Sequence, residues 1–408
     1  MTKKEQLKAP KLRFKGFTDA WEQRKLGELT IRVTRKNKNI ESDLPLTISA
    51  QDGLIAQDKF FGKKVASKNL QNYLLLRKGE FAYNKSYSNG YPYGSIKRLN
   101  KYDYGVISSL YIAFSPKSVN SSFLEQYYDS SKWYKEIYTR ATEGARNHGL
   151  LNIAPADFFD SNILVPTSSL EQEKIGRFIE KVNHTINLHE EKLAQLQQLK
   201  KGLLQKMFAD NNQQVPILRF SGFDDAWEQH KLGDIASIFS GGTPSISHKE
   251  YYGGNIPFIR SAEINSKTTE LFLTEQGLNN SSAKRVESGD ILYALYGATS
   301  GEVGISKING AINQAILDIK PSEEYNSYFI MQWLRNNKSR IVNTYLQGGQ
   351  GNLSGKIIKE LMISSPKTKE QQKIGIFLQK LDTTITLHQR ELDTLKKVKK
   401  YLLQNLFI

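Results

Sequence analysis

Six histidines, His148, His184, His189, His230, His248 and His388, are the side chains of this 408-residue chain best suited to ligating a transition metal, and none stands at a paired ligand spacing. Cysteine is absent, which removes disulfides and thiolate metal sites. Carboxylates such as Glu263 and Asp290 are scattered, which suits turns and solvated surface better than acid–base work. The stretch Gln350-Gly351-Asn352-Leu353-Ser354-Gly355-Lys356-Ile357 approaches a P-loop, but it lacks the first glycine and the Ser/Thr after lysine, so it should not cradle a triphosphate. Methyl transfer to the amino group of an extruded base needs an Asp/Asn/Ser-Pro-Pro-aromatic loop, and no two prolines are adjacent. The chain is therefore expected to hold no catalytic group, no metal and no cofactor.

A different chemistry, recognition by hydrogen bonding, is plentiful. Asn84, Lys85, Ser86, Tyr87, Asn89 and Tyr91 crowd one turn-rich stretch, and Arg140, Arg146, Asn147 and His148 another. Later in the chain Ser240 and Thr243, then Arg260, then Tyr296 and Thr299, then Gln347 and Gln350 form a comparable set. Arginine and lysine reach guanine or phosphate, asparagine and glutamine match adenine edges, and the interspersed glycines let backbone amides approach phosphates. These residues are the expected DNA contacts, although any one such loop would equally serve as a plain turn.

The elements that must position these loops are repeated. Ser169 to Phe208 returns as Thr368 to Phe407 with 19 of 40 residues identical, and Pro10 to Gly27 returns as Pro216 to Gly233 with 14 of 18 identical. Each forty-residue copy reads as one long helix with an apolar seam at alternating spacings of four and three. The seam runs through Ile175, Ile179, Val182, Ile186, Leu193, Leu196 and Leu203 in one copy. In the other it runs through Ile374, Leu378, Leu381, Ile385, Leu392, Leu395 and Leu402. Ser169 with Gln172 and Thr368 with Gln371 are expected to form capping boxes. Two seams of equal phase can bury each other, and a pseudo-two-fold axis perpendicular to them makes the pair an antiparallel coiled coil. His189/His388 and Lys200/Lys399 interrupt both seams. Either Leu188, Leu199, Leu387 and Val398 rotate inward as an ordinary helix drifts from heptad phase, or the polar residues mark register or meet another subunit. Leu12, Phe14, Phe17 and Trp21, with Leu218, Phe220, Phe223 and Trp227, are expected to pack structurally.

Between the landmarks lie two modules of about 150 residues that share little sequence. Strands are expected at 81–83, 105–107 and 111–114, then at 256–259, 290–293, 303–305 and 315–319, with helices over 122–140 and 327–345. The fold class is thus α+β: two mixed α/β domains in pseudo-two-fold arrangement, joined by the helix pair. Boundaries fall at 1–166, 167–212, 213–366 and 367–408. A net charge of +16 points toward a polyanion, unevenly. Lys and Arg outnumber Asp and Glu by 24 to 15 between Pro10 and Pro166, but number 14 against 15 between Pro216 and Pro366. No apolar run approaches twenty residues and the first ten carry no signal region, so a cytoplasmic chain is expected.

The ordered double repeat of PxLRFxGFxxAWEQxKLG, a divergent module and an EQxKIG-headed long helix resembles the specificity subunit of type I restriction-modification systems over nearly the whole chain. The resemblance implies that the modules are target recognition domains, each reading one half of a split, asymmetric site on double-stranded DNA. It implies that the helices fix their separation and dock partners. Those partners would be two modification subunits, which bind S-adenosylmethionine and methylate adenine, and two restriction subunits, which use ATP and Mg to translocate and cleave DNA. The alternative is a tandem-module DNA-binding regulator with no associated methyltransferase, which should show a compact helix-turn-helix reader that the sequence does not display.

Overall fold

The computed structural model describes residues 9–63, 65–67, 69–141, 151, 153–209, 214–346 and 352–408. The chain forms two compact units. The first comprises Met1–Glu190 with Arg390–Ile408, and the second is Glu191–Gln389. Both divisions fall inside the long helices, a central one over Ser169–Met207 and a last one over Thr368–Asn405, so each unit owns one segment of each.

In the first unit β1 (Thr30–Arg32), β2 (Phe81–Asn84), β3 (Ser95–Arg98) and β4 (Ile112–Pro116) form an antiparallel sheet in the order β1-β4-β2-β3. In the second, β5 (Ala236–Ser240), β6 (Ile291–Ala294), β7 (Val303–Ile305) and β8 (Ile316–Pro321) take the same order, β5-β8-β6-β7. The central strands are largely apolar because both faces are covered, with the buried Asp318 of β8 the exception. Phe81 and Tyr83 join the core beneath the helices, while Ala82 faces a second core beneath Leu46, Ile48 and Leu76. Ile291 and Tyr293 are likewise parted from Leu292 and Ala294. The covering layers differ. The first unit uses two two-stranded ladders, Leu46–Ser49 with Gly53–Ala56 and Leu74–Arg77 with Tyr104–Ile107. The second uses one four-stranded sheet containing a parallel pairing of Phe258 with Ala311.

The repeated landmarks build one joint twice. Arg13 donates Nε and Nη2 to the two oxygens of Glu171 at 2.7 and 2.8 Å, and Arg219 does the same to Glu370. Both glutamates are only 1% exposed, so each carboxylate depends on its guanidinium fork. Phe14 meets Phe178 edge-on at 5.7 Å and Phe220 meets Phe377 at 5.9 Å, while the Lys174 and Lys373 ammoniums lie over Phe17 and Phe223. Gly176 passes so close to the helix Ser121–Asp129 that an added Cβ would lie 2.6 Å from the Phe123 amide nitrogen. Gly375 meets the Asn326 side chain in the same way. The repeated opening motif thus seats each module on the head of a helix.

The expected capping boxes do not form. Ser168 rather than Ser169 accepts from the Glu171 amide, and Thr368 donates its hydroxyl to the Glu324 carbonyl. The glutamines are used elsewhere. Gln172 accepts from the Asn120 amide and donates to the Pro166 carbonyl, and Gln371 bridges Asn326 and Pro366 identically. Asn120 and Asn326 in turn cap the helices Ser121–Asp129 and Ser327–Asn336. Each expected long module helix is broken into two. Trp133 donates its indole N–H to the Tyr128 carbonyl after Asp129, and Asn337 folds its amide back onto Trp333 after Asn336.

Within each unit the helix segments pair antiparallel. In the first unit Glu190 reaches Lys396 at 2.7 Å, while Ile175, Ile179, Leu402, Leu406 and Phe407 share one core. In the second Lys200 reaches Asp382 at 2.6 Å, while Leu204, Met207, Phe208, Ile374 and Leu378 share another. Ile186, Leu193, Leu196 and Leu392 are buried, and Val182, Leu203, Leu381, Ile385 and Leu395 are half-buried. Inward rotation of the outer apolar residues does not occur. Leu188, Leu199, Leu387 and Val398 are 42–53% exposed, whereas the Lys200 and Lys399 side chains are only 14% and 27% exposed. The seam holds strict heptad phase because a lysine stem packs as hydrocarbon and carries its charge to a flanking acid. Lys399 pairs with Asp129, which Lys97 also holds. Asp382 gathers Lys200, Tyr328, Gln332 and Arg335.

Candidate nucleic-acid interface

In each unit the strand order brings three separate stretches to one end of the main sheet. In the second unit Ala294 pairs with Ile316 and Ser240 with Leu317, so the chain leaving β5 and the loop leaving β6 emerge together. Thr243 donates to Gln314 Oε1 at 2.7 Å just before β8, and the Leu295 amide donates to the Ala315 carbonyl. The third stretch re-enters here, since Tyr296 bridges to Asn352 and the Leu353 amide donates to the Leu295 carbonyl. Thr299 donates to the Tyr296 carbonyl and closes a short turn. Ser240, Thr243, Tyr296 and Thr299 therefore lie on stretches that emerge at one end of the sheet. Gln347 and Gln350 lie outside the described residues.

Arg260 stands apart. It follows the strand Tyr252–Ile259 and is held by Glu263 and Glu270, each at 2.7 Å. Burial pushes the Glu263 carboxyl up, but the Arg260 fork, the Thr269 hydroxyl and two backbone amides outweigh it and bring it down to about 2. The guanidinium is spent on local structure.

The first unit repeats the geometry. Tyr83 pairs with Ile112, so Asn84 leaves the sheet at the end where β4 begins. Asn84 accepts from the Ser86 amide, and Ser88 and Tyr91 exchange backbone hydrogen bonds around Asn89 and Gly90. Gly94 has φ +79° and no room for a Cβ, which would lie 2.1 Å from the Asn84 carbonyl oxygen. The loop is thereby folded back on itself, with Tyr87 54% exposed and Asn89 and Gly90 exposed beside it. The Leu151 amide donates to the Lys85 carbonyl, matching Leu353 in the second unit, and Lys85 Nζ donates to the Ile153 carbonyl. Arg140 closes the helix Tyr134–Arg140 and is engaged by Glu136 at 2.6 Å and by the Asp160 carbonyl at 3.0 Å. Arg146, Asn147 and His148 lie outside the described residues.

One member of the set escaped the sequence reading. The counterpart of the chain leaving β5 is the chain leaving β1, which runs past Thr34 to Ser42 and carries Lys36, Lys38 and Asn39. Its lysine- and asparagine-rich composition was the available signal. Only the shared strand order shows that it leaves the sheet at the same end as Asn84.

A sheet unit seated on a helix head, with its polar loops gathered at one end, occurs twice and defines a two-module protein. Residues 224–397 match the family model of the type I restriction modification DNA specificity domain. A Methanocaldococcus jannaschii protein, the type I restriction enzyme MjaIX specificity subunit, is 30% identical over 193 residues, 45% of this chain and 44% of the relative. The HindI specificity subunit of Haemophilus influenzae is 26% identical over 174 residues, 39% and 37% of the two chains. The chain thus matches less than half the length of each. The crystal structure of a type I restriction-modification S subunit from M. genitalium shares the fold at TM-score 0.66 and 17% identity, covering 98% of this chain and 99% of that one. A chain from a structure on complex assembly and conformational transition of the type I R-M system shares it at TM-score 0.52, with 18% identity, 95% of this chain and 97% of that one. The second unit thus matches the type I restriction modification DNA specificity domain, and the chain as a whole is similar to type I specificity subunits.

Proposed function

We propose that this chain is the non-catalytic DNA-specificity subunit of a type I restriction-modification complex. Each unit reads one half of a bipartite, asymmetric DNA site, and the long helices set the spacing and dock two modification subunits. Adenine methylation, or ATP-dependent restriction by two restriction subunits, is thereby directed to that site. S-adenosylmethionine, ATP and Mg belong to those partners. The observation that carries the reading is the convergence of three divergent polar loops at one sheet end in each of two units with identical strand order. A shared scaffold with unlike loops suits two readers of unlike sequence. Ser86, Tyr87, Asn89 and Tyr91 in the first unit, and Ser240, Thr243, Tyr296 and Thr299 in the second, are the proposed contacts of those loops. Asn84, Lys85, Arg140 and Arg260 shape or flank them.

Docking has a candidate surface in the apolar positions left outside the seam. By the register of the Glu190–Lys396 pair, Leu188 lies level with Val398 in the first unit. Leu199 and Leu387 are the exposed counterparts in the second. No helix among the described residues is long and apolar enough to cross a membrane, compatible with the proposed cytoplasmic setting. Methylome sequencing of a host carrying this chain with its modification subunits tests the reading. A split site with methylated adenines in both halves is expected, and a contiguous site or no new methylation would overturn it.

A further inference from the structure

Ile40 is the only non-glycine among the described residues with a positive φ, +54°. A β-branched residue is poorly tolerated there, because its Cβ crowds the following carbonyl, and asparagine or glycine would occupy the position more easily. Nothing inside the unit compensates, since the Ile40 side chain is 57% exposed. The loop is nonetheless built to hold it. Asn37, with no exposed surface, donates Nδ2 to the Ser42 carbonyl at 2.7 Å and accepts from the Ser42 amide at 3.2 Å. The Ile40 amide donates to the Asn37 carbonyl, and the Asn37 amide donates to the Tyr73 carbonyl. An apolar tip is thus held out into solvent by a buried clamp.

Its surroundings combine exposed apolar and charged side chains. The loop enters the strand Leu46–Ser49, whose Leu46 pairs with Ala56, so the helix Gln57–Phe61 begins at the same end of that hairpin. That helix buries no residue, and its Phe60 and Phe61, 47% and 45% exposed, lie edge to face at 4.8 Å. Lys38, Lys59 and Lys63 are exposed in these two segments, beside exposed Glu41, Asp43 and Asp58, on the unit where basic residues outnumber acidic ones overall. Apolar tips flanked by cations fit duplex DNA: the side chain enters a base step while ammonium groups take the adjoining phosphates.

We infer that the loop Lys36–Ser42 is a DNA wedge, with Ile40 entering between two base pairs of the first half-site. The inference rests on the DNA-specificity reading above and adds deformation to it as a source of selectivity. A pyrimidine–purine step, the easiest to unstack, belongs under Ile40.

The test uses the full chain assembled with its modification subunits and a duplex selected by that complex from a random-sequence pool. 2-Aminopurine is placed in turn at each step of the first half-site. Wild type should give a fluorescence rise at one step. Ile40→Gly, which accepts the left-handed backbone freely, should melt no lower than wild type, bind at least tenfold more weakly and lose that rise. Ile40→Leu should keep both. An Ile40→Gly complex binding within twofold of wild type, or a wild-type complex that unstacks no step, overturns the wedge while leaving DNA recognition standing. A lowered melting temperature for Ile40→Gly overturns it too, since the residue would then serve the fold. A wild-type complex that selects no duplex removes the DNA reading and the wedge together.

Discussion

At the scale of single residues, the buried ions set the sensitivities. Glu171 and Glu370 are closed off from water, so removing a guanidinium strands a charge rather than deleting one contact. Arg219→Ala should destabilise the second unit by about 3–5 kcal/mol, whereas Arg219→Met with Glu370→Leu should recover most of that loss. Urea unfolding of wild type and the two variants measures it. Asp318 makes the opposite case. It is fully buried in β8, neither oxygen has a hydrogen-bond partner, and Lys320 lies 3.9 Å away. Burial, and then the neighbouring Asp290, raise its carboxyl to about 7. The folded state therefore binds this proton more tightly than the unfolded one, and stability falls as pH rises from about 4 to 7. Asp318→Asn should flatten that slope and be more stable than wild type at pH 8, by roughly 2–4 kcal/mol. Equal pH profiles for the two proteins would contradict the assignment.

Among the elements, glycine separates contact from propensity. Gly176 faces the Ser121–Asp129 helix with no room for a Cβ, while Gly202, on the same central helix, has open space around it. Gly176→Ala should destabilise the first unit by about 1–3 kcal/mol through overpacking. Gly202→Ala should stabilise by about 0.5–1 kcal/mol, because only the entropic cost of helical glycine changes. Thermal melts that move both variants in the same direction would refute this division. The helix ends matter equally. Phe407 packs on Phe123 at 5.4 Å and Phe208 on Phe329 at 5.0 Å, each completing a core contributed by a distant part of the sequence. Truncating either to alanine should cost about 3–5 kcal/mol.

For the whole molecule, the reuse of one socket has consequences for truncation and insertion. A fragment ending at Asn212 would keep the socket that Phe407 fills and would carry Phe208, the residue that fills the matching socket in the second unit. It should self-associate and seek a symmetric version of the first half-site. Phe208→Ala in the fragment should return it to monomer, as read by sedimentation. A stably monomeric parent fragment would contradict the socket argument. Inserting residues between Gln195 and Lys200 should shift the preferred spacer more than either half-site sequence, readable from methylation patterns.

The repeats, the two long helices, their apolar seams and the placement of Phe14, Trp21 and their counterparts were all legible in the chain, because periodicity and identity are local and one-dimensional. So was the polar character of the candidate loops. What Gln172 and Gln371 do was not, since a capping box and a clamp on Asn120 or Asn326 use the same residue at the same spacing. The choice between Leu199 and Lys200 for the seam likewise required knowing where Asp382 sits. Nor could local pattern place Ile40, whose left-handed backbone is imposed by a hydrogen bond between Asn37 and Ser42. Strand order alone decided that three loops far apart in sequence share one end of a sheet, because pairing across a fold is set by packing between elements rather than by any one of them.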